Sequence, residues 1–394
     1  MKKYLLVSAY LVALLLVVNN CFAWWIFDPD KEAVYEEWLK TQSNPPAAQE
    51  QSDLSGELQL QTVPELQPVF QELVSVFQSK YPLVQIQQTT ASNLTLGQPA
   101  KENQPVADIL VGSSERLAKQ ELLEKRCDWY LKFATNEIVL LYTPHSKFAD
   151  QVNQSNWTEI LTREETRYGY LDPRIDEVGS RTVFTWQLAE QHYQIKDLYL
   201  LLVKKVRSSN VFPDADSLLT ALNKGELDYS FHYRSFALEH KLKFIPLPPQ
   251  VNLGDVSQTS QYQKARFKLK DEKSKGWIIE KGEPINNLLT IPRGAQQPKL
   301  ALVFLEFCLD KEGTMILRQQ GLMPLLNRQA VIQGEFPAQL RKYLAGELHE
   351  QKTKNLPKPE QGNNTSGTKL ELPQLPNTPQ LPKLPVIPKP QQPK

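Results

Sequence analysis

The chain has 394 residues, and its 45 lysines and arginines nearly balance 44 aspartates and glutamates. Because the charges are mixed along the chain and the formal net charge is only +1, no nucleic-acid-binding face is indicated. The sequence has no glycine-rich phosphate loop after a strand, no CxxC pair and no Gly-x-Ser-x-Gly elbow. These absences argue against an enzyme and against a bound cofactor.

The N-terminal end has the pattern of an export signal. Lys2 and Lys3 precede an apolar run over residues 4–18, which is shorter than the roughly 20 residues of a membrane-spanning helix. We expect residues 1–23 to be a signal peptide that is removed after Ala23. A lipid on Cys21, or retention of the segment as an uncleaved anchor, stays open. Residues 24–53 are expected to form a linker.

Strands and helices are expected to alternate after the linker. Apolar runs predict strands at residues 58–60, 84–88, 107–111 and 138–142, and helical spacing predicts helices at residues 66–79, 300–309 and 313–320. This order is typical of an α/β sheet with crossover helices. In such sheets, ligands bind in the turns beyond the carboxyl ends of the strands.

The C-terminal end, residues 346–394, repeats Leu-Pro and Lys-Pro steps such as those in residues 381–385. Proline fixes φ and removes backbone donors, so this tail is expected to be an extended, disordered polyproline segment. A solvated spacer and a ligand for a groove on a partner protein are both open.

Two cysteines, Cys127 and Cys308, remain after removal of the signal, and both lie in apolar surroundings. We expect two buried free thiols, although an exported protein could also pair them.

One family resemblance runs through residues 54–326. It rests on the order and spacing of short blocks, among them residues 77–82, 107–109, 127–152, 156–161, 172–181, 187–190, 225–229, 233–235, 252–255, 290–292 and 313–317. In these blocks the chain resembles the tungstate/molybdate-binding components of ABC importers, which are extracellular solute-binding proteins.

The resemblance implies a two-lobed periplasmic binding protein of the type II-like α/β class, with the ligand in a cleft between the lobes. Lobe one would combine residues 54–134 with residues 293–345, and lobe two would be residues 135–292. It further implies a periplasmic monomer that closes over a small inorganic ligand by hinge motion and delivers it to a membrane permease.

The same resemblance implies which residues face the ligand, and two of them depart from the family. Glu65 stands where the family has serine, and His232 stands where it has an acid. An ionised Glu65 offers only acceptors and repels an oxyanion, unless a carboxylate coordinates tungsten directly. The expected cleft holds Asp176, His232 and Tyr233 from lobe two, facing Glu65 and Ser92 or Asn93 from lobe one.

These substitutions leave alternatives open. Glu65, Asp176 and His232 together would also suit a divalent cation. A non-transport descendant of the fold, anchored in the cell envelope and acting through its tail, is a second class of function. If His232 faces the ligand, binding should change between about pH 5.5 and 7.5. Asp176→Ala should abolish binding and leave the ligand-free protein nearly as stable.

Overall fold

The computed structural model describes residues 34–38, 40, 54–98, 107–270 and 276–344. The predicted signal peptide and the predicted C-terminal tail lie outside the described residues. Within the predicted linker, residues 34–38 are helical, and the buried Tyr35 donates a hydrogen bond to the carbonyl of Pro324. This part of the predicted linker therefore packs against the folded domain.

The described part of the chain alternates strands and helices, as predicted. The strands are β1 (Gly56–Thr62), β2 (Val84–Thr90), β3 (Ile109–Gly112), β4 (Trp129–Asn136), β5 (Ile138–Tyr142), β6 (Tyr168–Leu171), β7 (Val211–Phe212), β8 (Tyr229–Tyr233), β9 (Lys243–Pro246), β10 (Arg266–Lys270), β11 (Trp277–Lys281), β12 (Ile285–Thr290) and β13 (Met323–Ile332). The α-helices are α1 (Gln67–Lys80), α2 (Glu115–Leu117), α3 (Trp157–Thr162), α4 (Glu177–Tyr193), α5 (Leu198–Lys205), α6 (Ala215–Asn223), α7 (Arg234–Glu239), α8 (Thr259–Tyr262), α9 (Pro298–Leu309) and α10 (Lys311–Gln319). A π-helical turn, Ala118–Leu123, extends α2, and 3-10 turns lie at Pro64–Leu66, Ser208–Asn210, Val256–Gln258 and Ala338–Tyr343.

The first sheet has six strands in the order β13-β4-β12-β3-β1-β2. β1 runs parallel to β2 and β3, whereas β12 runs antiparallel to β3 and β4. Apolar residues of α1, α9 and α10 bury one face of this sheet, and the core includes Leu60, Phe70, Phe77, Phe133 and Phe304. The turns after β1, β2 and β3 therefore lie at one edge of the sheet, where an α/β fold presents ligand groups.

The second sheet has five strands in the order β7-β6-β8-β5-β9. Its core is aromatic: the Phe231 ring on β8 lies 5.7 Å from the Trp157 ring and 5.6 Å from the Trp186 ring, both in edge-to-face contact. Trp186 belongs to α4, so this packing fixes the helix against the sheet. Buried aromatic pairs of this kind add about 0.5–1.5 kcal/mol each beyond the burial of their area.

The chain crosses between the two sheets at two adjacent points. It leaves the first sheet after Asn136 and re-enters it at Ile285, the start of β12. The loop at Asn252 and Leu253 ties both crossings together, because its carbonyls accept hydrogen bonds from the backbone N–H of Ile138 at 2.8 Å and of Ile285 at 2.9 Å. The two-lobed α/β fold with an interlobe cleft is confirmed. The return strand is β12, whereas the sequence placed the return to lobe one at residue 293.

Cys127 and Cys308 are free and buried, as predicted. They lie in separate core clusters, and burial raises the pKa of Cys127 to about 11. Among the described residues, no helix combines the length and the apolar character that a membrane span requires.

Candidate ligand-binding site

Asp176 begins the helix that carries most of the lobe-two side of the site. Its carboxylate accepts hydrogen bonds from the backbone N–H of Val178 at 2.7 Å and of Gly179 at 3.4 Å, and so caps α4. Gly179 lets the helix approach the end of β6, since a Cβ at this position would lie 2.3 Å from the carbonyl oxygen of Leu171. The N-terminal end of α4 is thus held against the strand end.

Arg181 lies one turn into α4, and its side chain points into the cleft. Its guanidinium donates to the hydroxyl of Tyr233 and, through Nη2 at 2.8 Å, to the backbone carbonyl of Ser113 in lobe one. The same Nη2 lies 3.0 Å from a carboxylate oxygen of Glu177. Arg181 is 7% exposed. One buried cation therefore connects the two lobes.

The lobe-one side is a closed polar triad formed by Glu65, Asn93 and Ser113. Ser113 Oγ donates to Glu65 Oε1 at 2.6 Å and accepts from Asn93 Nδ2 at 3.0 Å. Asn93 Oδ1 in turn accepts from the backbone N–H of Ser113 at 3.0 Å. The three residues follow β1, β2 and β3, so their meeting follows from the parallel pairing of these strands. The Ser113 hydroxyl, the Glu65 Oε1 atom and the Asn93 Oδ1 atom are thus all engaged within the triad.

The hairpin of β10 and β11 covers the cleft from a third side. Glu280 on β11 lies 3.5 Å from a guanidinium nitrogen of Arg116, which follows β3 in lobe one. The same end of the hairpin is also held by lobe two, where Gln187 on α4 exchanges two hydrogen bonds with the backbone of Arg266, next to Glu280 in the strand pairing. The hairpin therefore contacts both lobes.

The space left between these groups is small. The cavity measures about 10 Å³, close to the least volume that holds one water molecule. The lobes must therefore separate before a ligand larger than water can enter. The cavity is lined by Ser114, Glu177, Ser180, Arg181, Phe184, Glu280, Lys281 and Glu283.

The electrostatics of the cleft are dominated by buried carboxyl groups. Burial is the largest cause that raises the pKa of Glu65, Asp176, Glu280 and Glu283 above their ordinary values. The positive charge of Arg181 lowers the pKa of each of the four and so opposes the effect of burial. Arg181 is thus the common counterion of this cluster.

The structure brings four of the six predicted site residues to this cleft. Glu65 and Asn93 lie on the lobe-one side, and Asp176 and Tyr233 lie on the lobe-two side. Ser92 does not join them, because it is exposed and its hydroxyl pairs with that of Thr95 at 2.9 Å. The turn after β2 therefore contributes Asn93 alone.

The placement of His232 differs from the prediction. Successive side chains of a strand point to opposite faces, so His232 points away from the face on which Tyr233 meets Arg181. Its ring stacks on Phe236 at 3.8 Å, and its Nδ1 accepts the backbone N–H of Tyr233. Burial, together with the nearby His240, lowers the pKa of His232 to about 3. The imidazole stays neutral between pH 5.5 and 7.5, which removes the basis for the predicted pH switch.

Sequence reasoning missed Ser113 and Arg181 as site residues. The Gly-Ser-Ser sequence at residues 112–114 follows an apolar strand, so the rule that directed attention to the turns after β1 and β2 applied equally to the turn after β3. Arg181 stood in a block of the resemblance but carried no assigned role. The approach of the β10–β11 hairpin had no local sequence signal, because it depends on tertiary packing.

A divalent cation was an open alternative for Glu65, Asp176 and His232. Within the described ranges, no group of three or more His, Cys, Asp or Glu side chains is arranged to hold a metal ion. The burial of His232 beneath Phe236 separates the predicted imidazole ligand from the two carboxylates.

Known proteins are similar in sequence to the region that forms the two sheets and the cleft. Residues 58–323 match the family model of the bacterial extracellular solute-binding proteins. An uncharacterized solute-binding protein of Petrotoga mobilis is 30% identical over 294 residues, which cover 75% of this chain and 92% of the relative. The molybdate/tungstate-binding protein WtpA of Pyrococcus abyssi is 34% identical over 237 residues, which cover 54% of this chain and 67% of that protein.

Among solved structures, the substrate-binding domain of a putative molybdenum ABC transporter from Clostridium difficile aligns with a TM-score of 0.48 and 16% identity, over 68% of this chain and 99% of that one. The family match spans both sheets and every element that supplies the cleft, from the turn after β1 to the start of β13. The chain therefore belongs to the family of bacterial extracellular solute-binding proteins.

Proposed function

We propose that this chain is the solute-capturing component of an ABC importer and that its solute is a small oxyanion, tungstate or molybdate. The similarity to the molybdate/tungstate-binding protein of Pyrococcus abyssi, at 34% identity, is the observation that carries the choice of ligand. Its role is binding and delivery to a membrane permease, not catalysis.

The geometry of the cleft supports capture of an anion. Arg181 supplies a buried positive charge, and the Tyr233 hydroxyl that accepts from it can itself donate a hydrogen bond, whereas the Ser113 hydroxyl and one amide N–H of Asn93 are used within the triad of the ligand-free structure. Asp176 is the proposed carboxylate contact, in line with expanded coordination of tungsten by carboxylates. Glu65, Asn93 and Tyr233 complete the proposed site, whereas Ser92 and His232 would act only indirectly. Opening at the two crossings between the sheets admits the ligand, and closure buries it.

Thermal unfolding with added ligand tests this proposal. A ligand at 100 times its dissociation constant adds about 2.7 kcal/mol to the free energy of unfolding, and 1 kcal/mol corresponds to roughly 2 °C for a folded region of this size. Tungstate and molybdate should therefore raise the melting temperature by about 5 °C. Sulfate, phosphate, Zn²⁺ and Mn²⁺ serve as controls. The proposed ligand would be contradicted if neither tungstate nor molybdate raised the melting temperature and titration calorimetry detected no heat of binding.

We also propose export to the periplasm, with a mature N-terminus at Trp24 after removal of residues 1–23. Mass spectrometry of the protein from its native envelope fraction tests this, since an intact Met1 in a cytosolic fraction would contradict export. A lipid on Cys21 would instead be found as an added mass on a chain that begins at that residue.

A second candidate is a cell-envelope interaction protein that has kept the fold and lost transport. The triad of Glu65, Asn93 and Ser113 favours it, because the Ser113 hydroxyl and one amide N–H of Asn93 are already used within the triad. The ligand titration above separates the two candidates.

A further inference from the structure

We propose that Arg181 is a latch that holds the two lobes together when the cleft is closed. Three of its contacts define this role. Two of them, to the hydroxyl of Tyr233 and to the carboxylate of Glu177, keep the guanidinium fixed on lobe two. The third, from Nη2 to the carbonyl of Ser113 at 2.8 Å, reaches lobe one.

Each partner of the latch is fixed by its own surroundings. Tyr233 ends β8 and is 1% exposed, and its ring lies 5.4 Å from the guanidinium carbon. The Ser113 backbone is held by Asn93, which bonds both its N–H and its hydroxyl. A guanidinium is planar and has five N–H donors in a fixed fork, so it can bond both lobes at once. Because both partners are fixed within their own lobes, separating the lobes would break the contact between Arg181 and the Ser113 carbonyl.

Charge gives the latch its strength. Arg181 is the common counterion of the carboxyl groups of Glu65, Asp176, Glu280 and Glu283, and burial disfavours the ionised form of all four. Closing the cleft without Arg181 would bury these carboxyl groups in a region of low dielectric with the positive charge of Arg181 removed, and any two that stay ionised there would repel each other strongly. The latch therefore offsets a cluster that would otherwise hold the lobes apart.

The same contact explains how a ligand could influence closure. An oxyanion that enters the cleft offers oxygens to the guanidinium in addition to the carbonyl of Ser113. Bidentate contacts of arginine with oxyanions are strong and directional, so ligand and latch would favour the same closed arrangement. This step rests on the proposed function, whereas closure of the ligand-free protein does not.

Small-angle X-ray scattering of the mature full-length chain tests the latch without any ligand. Arg181→Gln should show a larger radius of gyration than the wild type, and Arg181→Lys should also open, because an ammonium lacks the planar fork. Arg174→Gln is the matched control, since Arg174 lies just before the same helix, is exposed and pairs with Asp172 outside the cleft. Its radius of gyration should equal that of the wild type.

Tungstate titration of the same proteins separates the latch from the proposed ligand. Arg181→Gln should weaken tungstate binding by about 30-fold or more, as expected when one partner of a buried charged contact is removed. An unchanged radius of gyration in Arg181→Gln, or in Arg181→Lys if the glutamine variant does not fold, would overturn the latch. Opening of the variant without tungstate or molybdate binding to any of the proteins would support the latch and overturn the proposed ligand.

Discussion

Asp176→Ala is expected to change both stability and binding, and the structure separates the two effects. The carboxylate caps α4 through Val178 and Gly179, and loss of such a cap costs about 0.5–2 kcal/mol, typically about 1. Because burial already raises the pKa of Asp176, part of the benefit of the cap is offset, and we expect a loss of about 1 kcal/mol. The melting temperature of the ligand-free variant should fall by roughly 2 °C.

The sequence alone predicts that the ligand-free variant is nearly as stable as the wild type, whereas the helix cap predicts a measurable loss. Asp176→Asn is the matched control, since an asparagine oxygen also caps a helix but carries no charge. Its melting temperature without ligand should lie close to that of the wild type. Both variants should lose the stabilisation by tungstate, because both lack the carboxylate that is proposed to contact the ligand.

Circular dichroism during thermal unfolding measures the melting temperatures of the wild type and the two variants. Each protein is measured without tungstate and with tungstate at 100 times the wild-type dissociation constant. If Asp176→Asn loses as much stability as Asp176→Ala, the cap does not account for the contribution to folding. If either variant keeps the ligand-induced rise, Asp176 is not a ligand contact. The melting temperatures without tungstate test the helix cap, and the shifts caused by tungstate test the ligand contact.

Three further predictions follow from the same contacts. Gly179→Ala should destabilise the protein by about 1–3 kcal/mol, as overpacked sites do, because its Cβ would lie 2.3 Å from the Leu171 carbonyl oxygen. Urea unfolding measures the change in the free energy of unfolding, and a gain in stability from helix propensity would refute the clash. Glu65→Gln should stabilise the ligand-free protein relative to the wild type at pH 7.5 and not at pH 4. A carboxyl group whose pKa is raised on folding favours the folded state below its unfolded pKa and loses that contribution as pH rises through its folded pKa, so equal differences at both pH values would contradict the assignment. The His232 ring should show no titration by NMR between pH 5.5 and 7.5. Because its pKa is lowered to about 3, the neutral imidazole contributes stability that is present above its unfolded pKa near 6.5 and lost as pH falls below it; a midpoint near 6.5 would place the ring in solvent.

Much of the fold was readable from the sequence because local periodicity records burial. The strand predicted at residues 138–142 coincides with β5, and the helix predicted at residues 66–79 corresponds to α1, shifted by one residue. Helical spacing also located α9 and α10. The predicted boundary at residue 293 lies beyond β12, which already pairs with β3 and β4 of the first sheet. Its sequence mixes apolar residues with buried Asn286, Asn287 and Thr290, so neither an apolar run nor a regular alternation marks it as a strand.

The candidate site was only partly readable. Turns after parallel strands meet at one sheet edge, so Glu65 and Asn93 could be placed together from their positions alone. The direction of a side chain at a strand end depends on register, and a shift of one residue reverses its face. Tyr233 contacts Arg181 at the cleft, whereas its neighbour His232 points to the opposite face and stacks on Phe236.

The sequence by itself determined the family, the alternation of elements and the burial of the two thiols, since these depend on composition, order and local pattern. Only the tertiary structure decided that Arg181 crosses the cleft, that Ser113 closes a triad with Glu65 and Asn93, and that the β10–β11 hairpin contacts both lobes. These contacts join residues from 20 to 164 positions apart in the chain. They form because separate sheets and loops approach each other in the folded chain. Such an approach produces no hydrophobic periodicity in the sequence of either contacting segment.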